Sequence, residues 1–189
     1  MDLYLLNIII ITGRPAAGKS TLAKWLSKEL QFPLVSKDAI REEFFDRLGW
    51  KDREWAQLLG KASVDMMFYF ARANLGVGHS IIMDNSFDPQ VSNTGFQDLK
   101  NQYNANSIQI ICDAEGDVLF ERFKTRFESG NRHPGHGDET VLNGLQQFLA
   151  GDYSSFLDIG GSVIKVDTTD FGKVNYEEIL NQVKSLLTL

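Results

Sequence analysis

The stretch Gly13-Arg14-Pro15-Ala16-Ala17-Gly18-Lys19-Ser20 follows an apolar run at Leu5–Thr12 and is followed by Thr21. Glycines at its two ends permit backbone dihedrals that turn successive N–H groups toward one anion. A helix opening at Lys19 would bring its positive N-terminal end to the same point. Lys19 adds a mobile cation for outer phosphates, and the Ser20 hydroxyl can bind Mg²⁺. The string satisfies G-x-x-x-x-G-K-[ST] at every position, which chance supplies in roughly one chain of this size in a hundred or fewer. Its chemistry is the holding of a nucleoside triphosphate together with Mg²⁺. The N-K-x-D segment of guanine-specific sites is missing from the sequence, so ATP is the expected nucleotide. The cradle leaves the reaction undecided.

Two further groups bear on the reaction. Asp84 closes the apolar run Ser80–Met83, and a carboxylate at the end of a parallel strand faces the crevice where ligands bind. It would hold the Mg²⁺ water shell or orient Ser20; a turn or a cap on the next helix is the plainer alternative. In "VSKDAIREEF", Asp38 stands at or near a helix start and Arg41 follows one turn later on the same side. If the second strand lies near the first and ends on the same edge, Asp38 faces the terminal phosphate. There a carboxylate could accept the proton of an attacking hydroxyl, and Arg41 could grip an anionic or hydroxyl-rich acceptor. The alternative is a cap beside a solvated charged face with Glu42 and Glu43.

The pattern around these residues is one of short apolar runs alternating with longer amphipathic stretches, which predicts strand–helix units around a parallel sheet. Strands are expected at Leu5–Thr12, Phe32–Ser36, up to Asp84, up to about Asp113, and through "SVIKVDTT". Helices are expected at Lys19–Leu30, Asp38–Leu48, Arg53–Asn74, Pro89–Tyr103, Gly116–Glu128, Thr140–Ala150 and Tyr176–Leu187. The loop "SGNRHPGHGDE" separates two of them. The helix from Arg53 carries Trp55, Met66, Met67, Phe68, Tyr69 and Phe70 around all its faces, a spread that predicts packing. His133 and His136 flank Pro-Gly and are expected to shape the loop or touch substrate. With Cys112 the one cysteine, they lack the partners of a zinc site.

Length and charge bound the rest. The 189 residues suit one domain spanning 1–189 with a sizeable core. A net charge of −6 supplies no global field for nucleic acid or anionic membranes. The apolar start follows an Asp and is too short to span a bilayer, so a buried strand and a cytoplasmic location are expected. Cys112, inside an apolar run, reads as a small buried hydrophobe. Oligomeric state leaves no mark.

Taken together, "GRPAAGKST", "VSKDAIRE", "IIMDNSF" and the arginine-bearing stretch before "RHPGH" resemble the small P-loop kinases related to phage polynucleotide kinase. Chloramphenicol phosphotransferase and the zeta-type toxin kinases belong to the same broad group. The resemblance runs from Gly13 to about Thr169. It implies a three-layer α/β/α P-loop fold with about five parallel strands and a helical lid at about 114–138. By resemblance, Asp38 is the general base and Arg41 helps hold the acceptor's phosphate. Arg126 is the expected lid arginine, with Arg122 and Arg132 as helpers that close over the donor phosphates. Thr168 and Thr169 would border the adenine ring.

The expected activity is transfer of the ATP γ-phosphate to a hydroxyl of a small-molecule or nucleotide acceptor. A nucleic-acid end kinase, using a local basic groove around Lys37 and Arg41, is less favoured by the acidic balance. A regulatory ATPase or nucleotide switch is the alternative from another class, and the pairing of Asp38 with Arg41 argues for an acceptor over simple hydrolysis.

Overall fold

The structure is a computed structural model and describes residues 5–138, 142–151 and 156–187. Five strands, β1 (Asn7–Gly13), β2 (Leu34–Ser36), β3 (Ile81–Asp84), β4 (Asn106–Asp113) and β5 (Ser162–Asp167), form one sheet in the order β2-β3-β1-β4-β5. Every pairing is parallel. The central strand β1 has neighbours on both edges and helices on both faces, so Ile8, Ile9, Ile10 and Ile11 are fully buried. Parallel sheets covered in this way demand such continuous aliphatic runs.

Alternation along β1 divides the core in two. Ile9 and Ile11 pack with α1 (Lys19–Leu30), α5 (Gly116–Glu128), α6 (Leu142–Ala150) and α7 (Tyr176–Leu186) through Leu22, Leu26, Leu119, Leu145 and Val183. Ile8 and Ile10 pack on the opposite face against α3 (Arg53–Gly76) and α4 (Pro89–Tyr103) through Met67, Leu75, Phe96 and Leu99. The period of two in a strand produces this split, and the result is the three-layer arrangement the sequence implies. A smaller cluster joins α2 (Lys37–Leu48) to α3 through Phe45, Ala56 and Leu59.

The sequence places β2 near β1 and leaves open what lies between them. β2 does not flank β1: β3 is inserted between them. The functional consequence survives because the registers are aligned, with Ile11 opposite Asp84 and Asp84 opposite Ser36. β2 and β3 therefore end level with Ile11, and β1 runs on two residues to Gly13. β2 is also shorter than expected. Pro33 has no N–H to donate to a ladder, although its carbonyl accepts from Ile82.

The helix α3 departs from its expectation too. Met67 is fully buried and Phe68 meets Phe96 edge to face, but Tyr69 and Phe70 point to solvent, 57% and 43% exposed. Only one stripe of a helix can face the sheet. Of the expected helix Thr140–Ala150, residues 140 and 141 lie outside the described residues.

Candidate active site

The loop between β1 and α1 turns through left-handed backbone at Ala16 and Gly18, φ 62° and 77°. Gly13 permits the approach of β4: a Cβ there would sit 1.9 Å from the Cys112 carbonyl oxygen. The resulting concavity of N–H groups faces the N-terminus of α1. Lys19 Nζ donates to the Arg14 carbonyl at 2.7 Å. Burial pushes the Lys19 ammonium pKa down, opposed first by Asp84.

Ser20 Oγ donates to Asp84 Oδ2 at 2.7 Å, and Ser36 Oγ donates to the same oxygen at 3.1 Å. Asp84 Oδ1 is buried without a hydrogen-bond partner. Burial raises the pKa of this carboxyl against the pull of the two serines and Lys19. One hydroxyl and one carboxylate with an uncommitted oxygen suit Mg²⁺, which takes one or two carboxylates and completes its shell with phosphates and water. No cluster of three or more His, Cys, Asp or Glu side chains able to hold a metal occurs among the described residues.

The Arg14 side chain has a structural role of its own. Its side chain turns away from the cradle and is 7% exposed. Nε and Nη2 reach Asp113 Oδ1 and Oδ2 at 2.6 and 3.1 Å, while Nη1 donates to the Leu149 carbonyl at 2.6 Å. Nη2 also donates to the Ala114 carbonyl at 2.6 Å. The guanidinium thus clamps the end of β1 to the end of β4 and to the C-terminus of α6. What Arg14 offers an anion is main chain.

Opposite the cradle, Asp38 is the second residue of α2, behind an extended N-cap at Ser36. Arg132, from the loop after α5, donates from Nη2 to Asp38 Oδ2 at 3.3 Å and pairs through Nε with Asp138 at 2.7 Å. Burial alone would raise the Asp38 pKa, but the cations around it, Arg132 first and then Lys37 and Arg41, outweigh it and hold the carboxyl below its ordinary range. Arg41 lies over the Phe45 ring at 5.1 Å and donates from Nη2 to the Ala56 carbonyl at 2.9 Å.

The arginines of α5 approach from the third side. Arg126 stands 5.1 Å from the Phe123 ring centroid, and its buried Nε has no hydrogen-bond partner. Arg122 stands over Phe171, its Cζ 3.6 Å from the ring centroid, and donates to the Thr169 carbonyl at 2.9 Å. Phe171 itself abuts the cradle, 2.7 Å from where a Gly18 Cβ would stand. After α5 a short 3₁₀ turn, Pro134–His136, seats on Phe45.

Thr168 and Thr169, expected to border the adenine ring, have their hydroxyls engaged within the protein. Thr168 is buried and its hydroxyl donates to the Asp113 carbonyl at 2.9 Å; the Thr169 hydroxyl accepts from the Glu115 N–H at 3.1 Å. Thr168 ties the end of β5 to the end of β4, Thr169 ties it to the start of α5, and Phe171 lines the cleft. The two histidines shape the loop as the sequence suggests, with His133 Nε2 at 3.1 Å from Asp46 and His136 Nε2 at 2.8 Å from Glu42. Cys112 is a buried thiol whose pKa burial pushes up to about 12.

The cradle, Asp84, Asp38, Arg41, Arg122, Arg126 and Arg132 line one cleft of about 720 Å³. Ser36, Asp138 and Phe171 line it as well, and sequence reasoning passed over them. Ser36 directly precedes Lys37-Asp38 at a strand end, which was a usable signal. Asp138 and Phe171 carried none, because their loops reach the cleft only through the folding of the chain.

Residues 8–150 match the model of a protein family described as AAA domain. The chain is 28% identical over 184 residues to L-seryl-tRNA(Sec) kinase from Methanococcus maripaludis, covering 93% of this chain and 64% of that one. It is 25% identical over 186 residues to shikimate kinase from Rhodopirellula baltica, covering 93% of this chain and 87% of that one. A candidate kinase from Chloroflexus aurantiacus has the same fold, with a TM-score of 0.87, 36% identity and coverage of 97% and 96%. Among the described residues no helix is long and apolar enough to cross a membrane.

Proposed function

The chain belongs to the AAA domain family, and from that premise and its cleft we propose an ATP-dependent kinase that phosphorylates a hydroxyl of a small-molecule or nucleotide acceptor. The observation that carries this reading is the shared cleft: Asp38 lies in it with the cradle lysine Lys19 and the Ser20–Asp84 pair. The relatives named for kinase activity on shikimate and on seryl-tRNA(Sec) support phosphoryl transfer over bare hydrolysis.

In this reading the cradle N–H groups and Lys19 hold the β- and γ-phosphates. Ser20 and Asp84 would hold Mg²⁺, which when bound neutralises charge on the phosphate oxygens. Asp38 accepts the proton of the acceptor hydroxyl as its oxygen attacks phosphorus, and the leaving oxygen departs with ADP. A depressed pKa keeps Asp38 ionised and ready, and its contact with Arg132 aims the carboxylate. Arg126, Arg122 and Arg132 supply positive charge around the transferring group, where preorganised donors lower the barrier most. Arg41 faces the acceptor and suits one that carries an anionic or hydroxyl-rich group.

A nucleic-acid end kinase is a second reading. It is favoured by Lys37, Lys51 and Arg53, which line the same wall as Arg41. The test of the base separates binding from chemistry. Asp38→Asn should bind ATP within about twofold of the wild type in calorimetry yet transfer phosphate about 10²- to 10⁴-fold more slowly. Undiminished transfer would remove Asp38 from this role.

A further inference from the structure

His136 belongs to the loop after α5 but is buried against α2, its side chain 1% exposed. It meets the Phe45 ring edge-on at 5.5 Å between centroids. Two polar neighbours fix its chemistry. Nε2 lies 2.8 Å from Glu42 Oε1, and Nδ1 lies 3.5 Å from Arg41 Nη1. An ionised carboxylate only accepts and a guanidinium only donates. The consistent assignment is a neutral ring with the proton on Nε2, donating to Glu42, and a bare Nδ1 accepting from Arg41. The charges around it agree: burial and Arg132 disfavour the imidazolium, as does Arg41, against Glu42 and Asp38.

Arg41 is consequently held at two corners. The Ala56 carbonyl of α3 takes Nη2 at 2.9 Å, and His136 of the loop takes Nη1. Arg41 Nε, buried, has no hydrogen-bond partner. Without His136 the guanidinium would keep one anchor and could rotate about it.

We propose that His136 is a positioning residue for the acceptor side of the cleft: its neutral imidazole, oriented by Glu42, holds Arg41 in place, so that side is complete only when the loop is seated on Phe45. The inference rests on Arg41 facing the acceptor, as in the function proposed above. It couples loop seating to acceptor recognition and leaves the nucleotide side alone.

Two conservative variants of the full chain separate positioning from mere loop attachment. His136→Asn places an amide oxygen near the Nδ1 position, and His136→Gln places an amide donor near Nε2. Rotation of the Arg41 guanidinium, read by ¹⁵N exchange spectroscopy, needs no acceptor. The wild type and His136→Asn should show hindered rotation, and His136→Gln should speed it about tenfold. With whichever acceptor takes label from [γ-³²P]ATP, His136→Gln should raise the acceptor KM about tenfold, the cost of one charge-assisted hydrogen bond. The KM for ATP should stay within twofold, and His136→Asn should recover most of the acceptor KM. Equal Arg41 rotation in all three proteins overturns the proposal, as does an equal rise in both KM values. If no acceptor takes label, the kinase reading fails, while the rotation measurement still decides whether His136 holds Arg41.

Discussion

At the scale of single residues, the site is a set of charges whose burial and pairing fix their protonation. Lys19 is the cation of the cradle. Replacing it by Ala should cut turnover of ATP by two orders of magnitude or more, measured as phosphate released or transferred under saturating ATP. As the proposed base, Asp38 would carry the pH dependence. Its pKa is depressed, so it stays ionised through neutral and mildly acidic pH, and kcat/KM should fall only as pH drops through that depressed value. The accompanying stabilisation is present above the ordinary Asp pKa and is lost over the same acid range. Arg132 is the first of the neighbours that hold it down. Arg132→Ala should therefore move the acid limb of the pH profile upward, and an unmoved limb would show that Arg132 does not set the base.

At the scale of elements, two contacts join separate segments into the cleft. The 3₁₀ turn rests on α2 because Gly135 leaves room: a Cβ there would come within 2.6 Å of the Phe45 ring. Gly135→Val should lift the turn, carrying Arg132 and His136 away from Asp38 and Arg41. Phosphoryl transfer should drop at least tenfold while ATP binding, measured by calorimetry, changes little. The second contact is the Arg14 clamp. Arg14→Ala would leave Asp113 and several carbonyls without their donor, at a cost of about 3 kcal/mol. A urea unfolding curve should show that loss, with the midpoint shifted and the slope unchanged. The clamp was hidden in the sequence, because only the approach of β4 and α6 shows where the Arg14 side chain belongs.

At the scale of the whole molecule, what was legible followed from local chemistry. The cradle string and the aliphatic run of β1 each carry a physical requirement that few other structures meet, and both stand where expected. Strand order was not legible, because the pattern in β2 and β3 says which runs are strands and nothing about which neighbours β1. The bonding of Thr168 and Thr169 was hidden for a related reason. Their place after β5 was legible, but the Asp113 carbonyl and the Glu115 N–H that engage their hydroxyls are remote in sequence. Phe171, a few residues on, reaches the cleft through the 3₁₀ turn Phe171–Lys173. His136 was visible as a histidine in a loop, while its bond to Glu42 depends on how that loop closes on α2. In the proposed reading that same wall would select the acceptor, and Trp50, Arg53 and Gln57 line the cleft there. The most direct measurement is transfer of label from [γ-³²P]ATP to a panel of shikimate, sugars, nucleosides, antibiotics, seryl-tRNA and 5′-hydroxyl oligonucleotides, resolved from free phosphate. The account predicts that one hydroxyl-bearing class takes label far faster than water does, and that Asp38→Asn abolishes this transfer. Release of label only as inorganic phosphate, at a rate Asp38→Asn leaves unchanged, would contradict it.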